Sequence, residues 1–189
     1  VIVDDGPKDT LMAWVNETYP IALRDRQIAY IHLPAQNKPL GELRNISVAK
    51  ATGDYLAQWD DDDLSHPQRL SMQMAAIHTF GADACTLERE QMWWLRERRF
   101  AFSTSRLWEG ALVCAKAKLP PYPEKRKGED TPVAEKVVQT GRVALLDYPQ
   151  LYTYVFHGYN TFDAEHWERQ WQAATEWFEN EMFEIKMAE

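Results

Sequence analysis

The sequence predicts an α/β fold, with a mostly parallel central sheet flanked by helices, a smaller antiparallel part and a C-terminal helix. Apolar runs alternate with helical segments up to Gly81, which is typical of a parallel sheet covered by helices. After Gly81 the apolar runs follow one another with one short helical segment among them, which favours antiparallel neighbours. The chain has 189 residues, of which 45% are hydrophobic, enough for a single domain over residues 1–189 with a substantial core.

The first half contains three predicted strands and three predicted helices. The strands are the apolar runs at 1–3, 28–33 and 54–59. The helices are expected to bury three sets of residues that recur at helical spacing: Leu11, Trp14 and Val15; Leu40, Leu43 and Ile46; Leu70, Met74 and Ile77. Gly81 is expected to end the third helix, because glycine readily adopts the left-handed conformation that closes a helix.

The second half is expected to be richer in strands. The predicted strand regions are 82–102, 110–119, 142–148 and 151–156, with a helix over 131–140. A last helix is expected from Asp163 onwards, with one apolar stripe packed in the core: Trp167, Trp171, Ala174, Phe178 and Met182.

Composition excludes several classes of function. The net charge of −8 argues against a general nucleic-acid binder and against attraction to an anionic membrane. No apolar run approaches the about 20 residues that a membrane helix needs. The chain starts on VIVDDG without the basic segment of a signal peptide, and Cys85 and Cys114 lie in apolar contexts. Buried free thiols are favoured over a disulfide or a metal ligand, so we expect a cytoplasmic protein.

Acidic residues follow two of the predicted strands. Asp4 and Asp5 end the first strand, and four consecutive aspartates, residues 60–63, follow the third. Ligands of open α/β sheets bind at the carboxyl ends of strands, so these acids are expected to meet in one crevice. Clustered carboxylates repel one another unless a cation neutralises them, and Mg²⁺ and Mn²⁺ prefer oxygen ligands. The alternative is a solvated acidic turn in which Asp63 or Ser65 caps the next helix.

Four blocks in order along the chain resemble the family 2 glycosyltransferases of GT-A fold. Residues 41–70 match a pattern of that family that consists of a glycine, Arg-Asn, Ala-x-Gly-x-Tyr, Asp-x-Asp-Asp and Pro-x-x-Leu. The matching positions are Gly41, Arg44, Asn45, Ala51, Gly53, Tyr55, Asp60, Asp62, Asp63, Pro67 and Leu70. The other blocks are VIVDDGPKDT, KGEDTPVAEKV and LYTYVFHGYNTF. The resemblance implies a nucleotide-sugar-binding half at 1–81 and an acceptor-binding half at 82–189.

The resemblance also implies roles for residues around the donor. Asp60 and Asp62 would hold Mn²⁺ or Mg²⁺ on the diphosphate of a nucleotide sugar, with His157 near the metal or the diphosphate. Arg44, Asp60 and Asp61 would bind the donor, most simply a UDP-sugar. Asp4 or Asp5 would accept a hydrogen bond from the base of the nucleotide.

On the acceptor side, the resemblance implies that Asp130, in the Glu129-Asp130 pair, is the general base. The alternative for Asp130 is a plain helix N-cap, and the two roles are compatible. Trp108 and Glu109, followed by Gly110, would shape the pocket for a carbohydrate or lipid-linked sugar acceptor, although core packing explains Trp108 equally well. A structural role is the alternative for His157.

The chain departs from the family pattern in two places. The family has a further strand and helix before the VVDDGS-like block, whereas this sequence begins at that block, so it is either part of a longer protein or builds its site differently. Pro7 also stands where serine is usual. No Gln-x-x-Arg-Trp motif is found, which argues against a processive polysaccharide synthase.

Two other functions fit parts of the sequence. A Mg²⁺-dependent phosphohydrolase of haloacid dehalogenase type also places acids after its first strand, but its Asp-x-Asp spacing differs from the adjacent Asp4 and Asp5. A non-catalytic sugar-nucleotide-binding remnant is the third interpretation.

Overall fold

The computed structural model describes residues 1–34 and 36–179, and it confirms the α/β class. Its helices are α1 Thr10–Thr18, α2 Pro20–Arg24, α3 Leu40–Lys50, α4 Arg69–Phe80, α5 Thr131–Thr140 and α6 Ala164–Gln172. Its strands are β1 Ile2–Asp4, β2 Tyr30–His32, β3 Tyr55–Ala57, β4 Leu64–Ser65, β5 Ala84–Leu87, β6 Gln91–Trp94, β7 Arg99–Phe102, β8 Trp108–Ala115, β9 Val143–Leu146, β10 Tyr152–Phe156 and β11 Glu176–Glu179. Each strand predicted in the first half is present; β1 has the predicted length and is shifted by one residue, whereas β2 and β3 are shorter than predicted.

The described strands form three sheets. Strands β1 and β2 pair in parallel, β3-β8-β5-β9 form a second sheet, and β11-β7-β6-β10-β4 form a third. The pairs β5/β9 and β6/β10 are parallel, whereas β8 runs antiparallel to both β3 and β5. The second sheet is therefore more mixed than the alternation of strands and helices predicts, because β8, from the second half, lies antiparallel between β3 and β5.

A groove separates β1 from β3. The groove has a volume of about 280 Å³, and residues lining it include Val1, Val48 and Leu56. Within the described residues no hydrogen-bonded ladder joins the two sheets at this place, so each presents an open strand edge.

Helix α4 packs against the second sheet through two of the three residues of its predicted stripe, Met74 and Ile77. Ile77 joins Cys85 and Val113 in a buried cluster, and Gly81 ends the helix in the left-handed conformation with φ of 56°, as expected. Leu70, however, is 41% exposed, and Arg69 occupies the fully buried position beside it. The stripe prediction was wrong here because a buried guanidinium makes polar contacts that a hydrophobic pattern does not encode.

Helix α1 is also less buried than predicted. Of the three residues expected on its inner face, only Val15 is buried, whereas Leu11 is exposed and Trp14 is 52% exposed. Trp14 instead lies edge-on against Tyr19, with the ring centroids 5.6 Å apart. Both cysteines are buried and free, as expected, and burial raises the pKa of each thiol to about 11.

The C-terminal helix is shorter than predicted. Helix α6 ends at Gln172, and β11 then pairs antiparallel with β7, where the backbone of Phe178 lies opposite that of Phe100. The pairing satisfies backbone groups along the edge of β7, which a continued helix would leave open. Trp167 and Trp171 are buried as predicted and Ala174 packs against their cluster, whereas Met182 lies outside the described residues.

The aromatic cluster between α6 and the third sheet predicts a large loss of stability on truncation. Trp167 is fully buried, 4.4 Å from the Tyr154 ring and 5.0 Å from the Phe156 ring. Trp167→Ala is expected to lower the free energy of unfolding by about 3–5 kcal/mol, because it leaves a cavity that the cluster cannot refill. Urea denaturation measures this loss, and the control Trp14→Ala is expected to change the free energy of unfolding by about 0.5 kcal/mol. Equal losses in the two variants would contradict the packing described for α6.

Candidate active site

One cleft gathers most of the site residues that the sequence predicts. It has a volume of about 330 Å³ and lies where the chain leaves β3 and enters α5. On the expected donor side it is lined by Arg44, Asp60, Asp61 and Asp62. On the expected acceptor side it is lined by Trp108, Glu109, Gly110, Glu129 and Asp130. Residues from both predicted halves of the chain therefore meet in the same cleft.

Arg44 links two of the predicted motifs directly. Its Nη2 donates to Asp60 Oδ1 at 2.7 Å, and its Nε donates to Glu129 Oε1 at 2.7 Å. Glu129 is 2% exposed, so its carboxylate depends on this ion pair in place of water. The Arg44 guanidinium thus links Asp60, which follows β3, to Glu129, which lies just before α5.

Helix α3 can approach the segment before α5 because residue 41 lacks a side chain. A Cβ atom at Gly41 would lie 1.9 Å from the carbonyl oxygen of Pro123. One turn further along, Asn45 Nδ2 donates to the Tyr122 carbonyl at 2.8 Å, and Asn45 Oδ1 accepts from the Tyr122 N–H at 2.9 Å. The glycine and the asparagine of the Gly-x-x-Arg-Asn motif therefore dock the helix that carries Arg44.

This close approach predicts the effect of the smallest possible substitution. Gly41→Ala is expected to lower the free energy of unfolding by about 1–3 kcal/mol, because the added methyl group forces α3 away from Pro123. Thermal and urea unfolding check this value. Gly53→Ala is the matched control, since its nearest contact would be the Tyr55 carbonyl oxygen at 3.3 Å. A Gly41→Ala variant as stable as the control would show that the helix does not depend on this approach.

The four aspartates do not share one environment. Asp63 is turned towards β10, where it accepts hydrogen bonds from the Tyr152 hydroxyl at 2.5 Å and from the Val155 N–H at 2.8 Å. Burial raises the pKa of Asp63 to about 7. Neither Asp63 nor Ser65 caps α4, whose N-cap is Gln68, so the capping alternative was wrong. Asp63 ties the acidic segment to the third sheet.

Asp62 lies beside the late His-Gly-x-Asn segment. His157 Nε2 and Asn160 Nδ2 each lie 3.2 Å from Asp62 Oδ2. Asn160 also donates to the Val155 carbonyl at 2.8 Å, which fixes the amide orientation. The structure thus brings His157 to Asp62, while its place near a metal or a diphosphate stays a prediction, and it adds Asn160, which the site predictions missed although it belongs to the same motif.

A buried arginine lies behind the aspartates. Arg69 donates to the carbonyl oxygens of Gln58 at 2.9 Å and Gly110 at 3.3 Å, and to Ser65 Oγ at 3.0 Å. Its guanidinium also lies 5.0 Å from the ring centroid of Tyr152. Arg69 and Arg44 supply positive charge, and Tyr152 and Val155 of the third sheet donate hydrogen bonds to Asp63. Protein groups therefore already offset much of the repulsion among the aspartates, which the sequence analysis expected a metal ion to neutralise.

Asp4 and Asp5 do not line this cleft. Asp4 Oδ1 accepts from the Gly6 N–H at 2.8 Å, and Asp4 Oδ2 accepts from the Tyr30 hydroxyl at 2.5 Å. The Tyr30 hydrogen bond and that of Gly6 hold the pKa of Asp4 below its usual value. The expected convergence of both acidic groups on one crevice is not seen, because β1 pairs with β2 and is separated from β3 by the groove.

Asp130 is both a helix N-cap and a residue of the cleft wall, so the role of general base stays a prediction that is compatible with capping. It is the N-cap of α5, where its Oδ1 accepts from the Thr131 N–H at 2.9 Å, and it lines the cleft. Its Oδ2 accepts from Gln58 Nε2 at 3.4 Å, a partner that the sequence analysis missed. Because Glu129 is held by Arg44, Asp130 is the member of the pair that is available to a substrate.

On the acceptor side, Trp108 is packed and not open. The side chain is 5% exposed, its Nε1 donates to the Thr104 carbonyl, and the Arg106 guanidinium covers the ring at 4.2 Å. Arg106 is also paired with Glu109. Core packing therefore explains Trp108 better than a sugar-stacking surface does, while Glu109 remains on the cleft wall.

An aromatic ring that the site predictions did not include lies on the same cleft. Phe162 is half-buried and stacks on His166, with ring centroids 4.3 Å apart.

The described residues contain no group of three or more His, Cys, Asp or Glu side chains arranged to hold a metal ion. None of their helices has the length and apolar character that crossing a bilayer requires.

Comparison with protein families decides among the interpretations of this cleft. The model of the family described as glycosyl transferase family 2 matches residues 1–110. The chain belongs to glycosyl transferase family 2. Membership favours the transferase interpretation over the phosphohydrolase one.

Two curated relatives are uncharacterised glycosyltransferases of Rickettsia felis and Rickettsia conorii. Each is 31% identical to this family 2 chain over 74 residues, which is 39% of the chain and 11% of the relative. The chain thus covers a small part of these much longer proteins.

Solved structures show the same fold. The Staphylococcus aureus TarS fragment 1–349 in complex with UDP-GlcNAc has a TM-score of 0.63 at 16% identity, covering 82% of this chain and 48% of that one. GalNAc-T7 with UDP, GalNAc and Mn²⁺ has a TM-score of 0.58 at 14% identity, covering 82% and 37%. The predicted GT-A fold is confirmed.

Proposed function

We propose that this family 2 chain carries the donor site and the general base of an inverting glycosyltransferase. The observation that carries the proposal is the meeting of Arg44, Asp60, Asp62 and Asp130 in one cleft. Glycosyl transferase family membership supports the activity. A UDP-sugar is the proposed donor, and UDP or UDP-GlcNAc is the ligand named for the TarS structures of the same fold. A carbohydrate or a lipid-linked sugar is the proposed acceptor.

The residues present fit a hard divalent cation, Mn²⁺ or Mg²⁺. Asp60 and Asp62 offer carboxylate oxygens, and the imidazole of His157 lies next to Asp62. Because the described residues form no set of three acidic, histidine or cysteine ligands, the diphosphate and water would fill the other positions. When bound, the ion would stabilise the negative charge on the departing diphosphate as a Lewis acid.

Asp130 would do the proton chemistry of the transfer. It lies at the N-terminus of α5 and lines the cleft, where its carboxylate can accept a proton from an acceptor hydroxyl. The acceptor oxygen attacks the anomeric carbon, the bond from that carbon to the diphosphate oxygen breaks, and the hydroxyl proton passes to Asp130. This single displacement inverts the anomeric configuration and needs no second carboxylate as a nucleophile.

The remaining charged groups would position the donor. Arg44 holds Asp60 and Glu129 in place and leaves its charge beside the diphosphate site. Residues 1–81 would form most of the donor site, and residues 82–189 would supply the base and the acceptor wall. Asp61 would add to donor binding, and Asp4 or Asp5 would contact the base of the nucleotide from outside this cleft.

A product assay separates the candidate functions. The protein is incubated with Mn²⁺ and, in separate arms, with a panel of UDP-sugars plus simple sugar acceptors or with sugar phosphates, and UDP and inorganic phosphate are both measured. Release of UDP is the expected result, since water can replace an acceptor at a slow rate. Phosphate release from sugar phosphates without UDP formation would support the phosphohydrolase. Donor binding without any turnover would support the non-catalytic remnant.

A further inference from the structure

One acidic side chain in the cleft has no part in the proposed mechanism. Glu90 immediately precedes β6, is 2% exposed and lines the cleft. Its backbone is fixed by Ser103, whose Oγ accepts from the Glu90 N–H at 2.9 Å and whose N–H donates to the Glu90 carbonyl at 2.9 Å. A rigid strand therefore holds this side chain against the cleft.

The Glu90 carboxyl group has no hydrogen bond or ion pair with any group in the described part of the chain. A carboxyl group removed from water without a partner is unfavourable, and most buried polar groups in proteins are satisfied. Two other acids of the cleft are bonded within the protein, since Glu129 is paired with Arg44 and Asp63 is bonded to Tyr152. Glu90 is not among the residues with a fully enclosed, unpartnered side-chain atom, so the little exposure that it has is to the cleft, where a ligand can supply its partner.

The charges around Glu90 indicate what that ligand can be. Burial raises the pKa of Glu90 well above its usual value, and the nearby Asp63 and Glu109 raise it further, while Arg106 and Arg69 lower it in part. A carboxyl group accepts hydrogen bonds in either protonation state, and it also donates one when it is protonated. An acidic surrounding disfavours a phosphate or carboxylate at this position, so a neutral hydroxyl group fits best.

We propose that Glu90 binds a hydroxyl group of a sugar ring in the cleft and thereby helps to select the sugar. The inference rests on the proposed function, because it assumes that a sugar enters this cleft. A carboxyl group that both donates and accepts matches a hydroxyl that does the same, and an analogue lacking that hydroxyl would leave Glu90 unsatisfied. The sugar can be the transferred unit of the donor or the acceptor ring, and both present the same chemistry to Glu90.

Two substitutions at position 90 separate binding from folding. Glu90→Gln keeps the shape of the side chain and an uncharged polar group at its end, whereas Glu90→Leu removes every side-chain group that can make a hydrogen bond. Glu88→Gln is the matched control, since Glu88 lies two residues earlier in the same segment, is bonded to Ser105 and does not line the cleft. Thermal melts of all variants establish that each one is folded.

Calorimetry with Mn²⁺ then compares UDP with UDP-glucose, UDP-galactose and UDP-N-acetylglucosamine. Saturation-transfer NMR with the corresponding free sugars tests the acceptor arm. Glu90→Leu is expected to leave UDP affinity unchanged and to weaken sugar recognition about 10-fold, the equivalent of one lost hydrogen bond to a buried acid. Loss of the affinity gained from the donor sugar assigns Glu90 to the donor, and loss of saturation transfer to free sugars assigns it to the acceptor.

The inference and the proposed function fail in different ways. Failure of the wild-type protein to bind UDP would overturn the proposed function, and the free-sugar arm would still test Glu90. Sugar recognition that is unchanged in Glu90→Leu, or absent from the wild-type protein in both arms, would overturn the role of Glu90.

Discussion

Asp130→Asn is expected to reduce turnover by about 10²–10⁴-fold, the usual contribution of a general base. Asparagine cannot take a proton from the acceptor hydroxyl, but it caps a helix about as well as aspartate does. The amide oxygen can therefore keep the hydrogen bond to the Thr131 N–H, whereas the 3.4 Å hydrogen bond from Gln58 is lost, because the amide nitrogen takes the place of the second oxygen. Stability, metal binding and UDP binding should change little. The measurement is the initial rate of UDP formation with a working donor and acceptor pair.

The chain provides a matched control for this substitution. Asp163 is the N-cap of α6, where it accepts from the His166 N–H at 3.0 Å, and it does not line the cleft. Asp163→Asn makes the same chemical change at the same kind of position and should leave turnover unchanged. Near-normal turnover of Asp130→Asn would remove Asp130 from the mechanism, and equal defects in both variants would point to capping instead of proton transfer.

Asp62→Asn is expected to abolish the part of UDP affinity that depends on Mn²⁺. An amide is a weaker ligand than a carboxylate and brings no negative charge to the cation. Affinity for UDP in the presence of Mn²⁺ should fall about 10-fold or more, towards the value without metal, as for other losses at metal sites. Titration calorimetry measures both values.

The control for Asp62→Asn is an acidic residue of the same segment that lies outside the cleft. Asp54, just before β3, is exposed, and Asp54→Asn should leave both affinities unchanged. Retention of the full Mn²⁺ effect in Asp62→Asn would place the metal on other groups.

Local signals in the sequence predicted much of the fold because they act over a few residues. Gly81 ends α4, and Asp130 begins α5, as the sequence indicates. The order of the strands in the sheets could not be predicted in the same way. Hydrophobic patterns show that β8 is a strand, but they do not show that it lies antiparallel between β3 and β5. Likewise, nothing in the apolar stripe after Asp163 shows that β7 has an open edge for β11.

The motif residues of the site could be predicted, whereas the groups that support them could not. The resemblance selected Arg44, Asp60 and Asp130, which the structure places in one cleft. Arg69 and Gln58 support that cleft from buried positions that a pattern of apolar residues assigns to the core or to a strand. Their contacts reach across 41 and 72 positions of the chain, so only the folded structure shows them.

The affinity of the wild-type chain for UDP, measured by calorimetry with and without Mn²⁺, tests the central claim most directly. The claim is that Asp60 and Asp62 bind a nucleoside diphosphate through a divalent cation in the cleft that also holds Asp130. Clearly tighter binding of UDP in the presence of Mn²⁺ than in its absence is the result that this account predicts. Equal affinity in both conditions, or no binding of UDP in either, would contradict it.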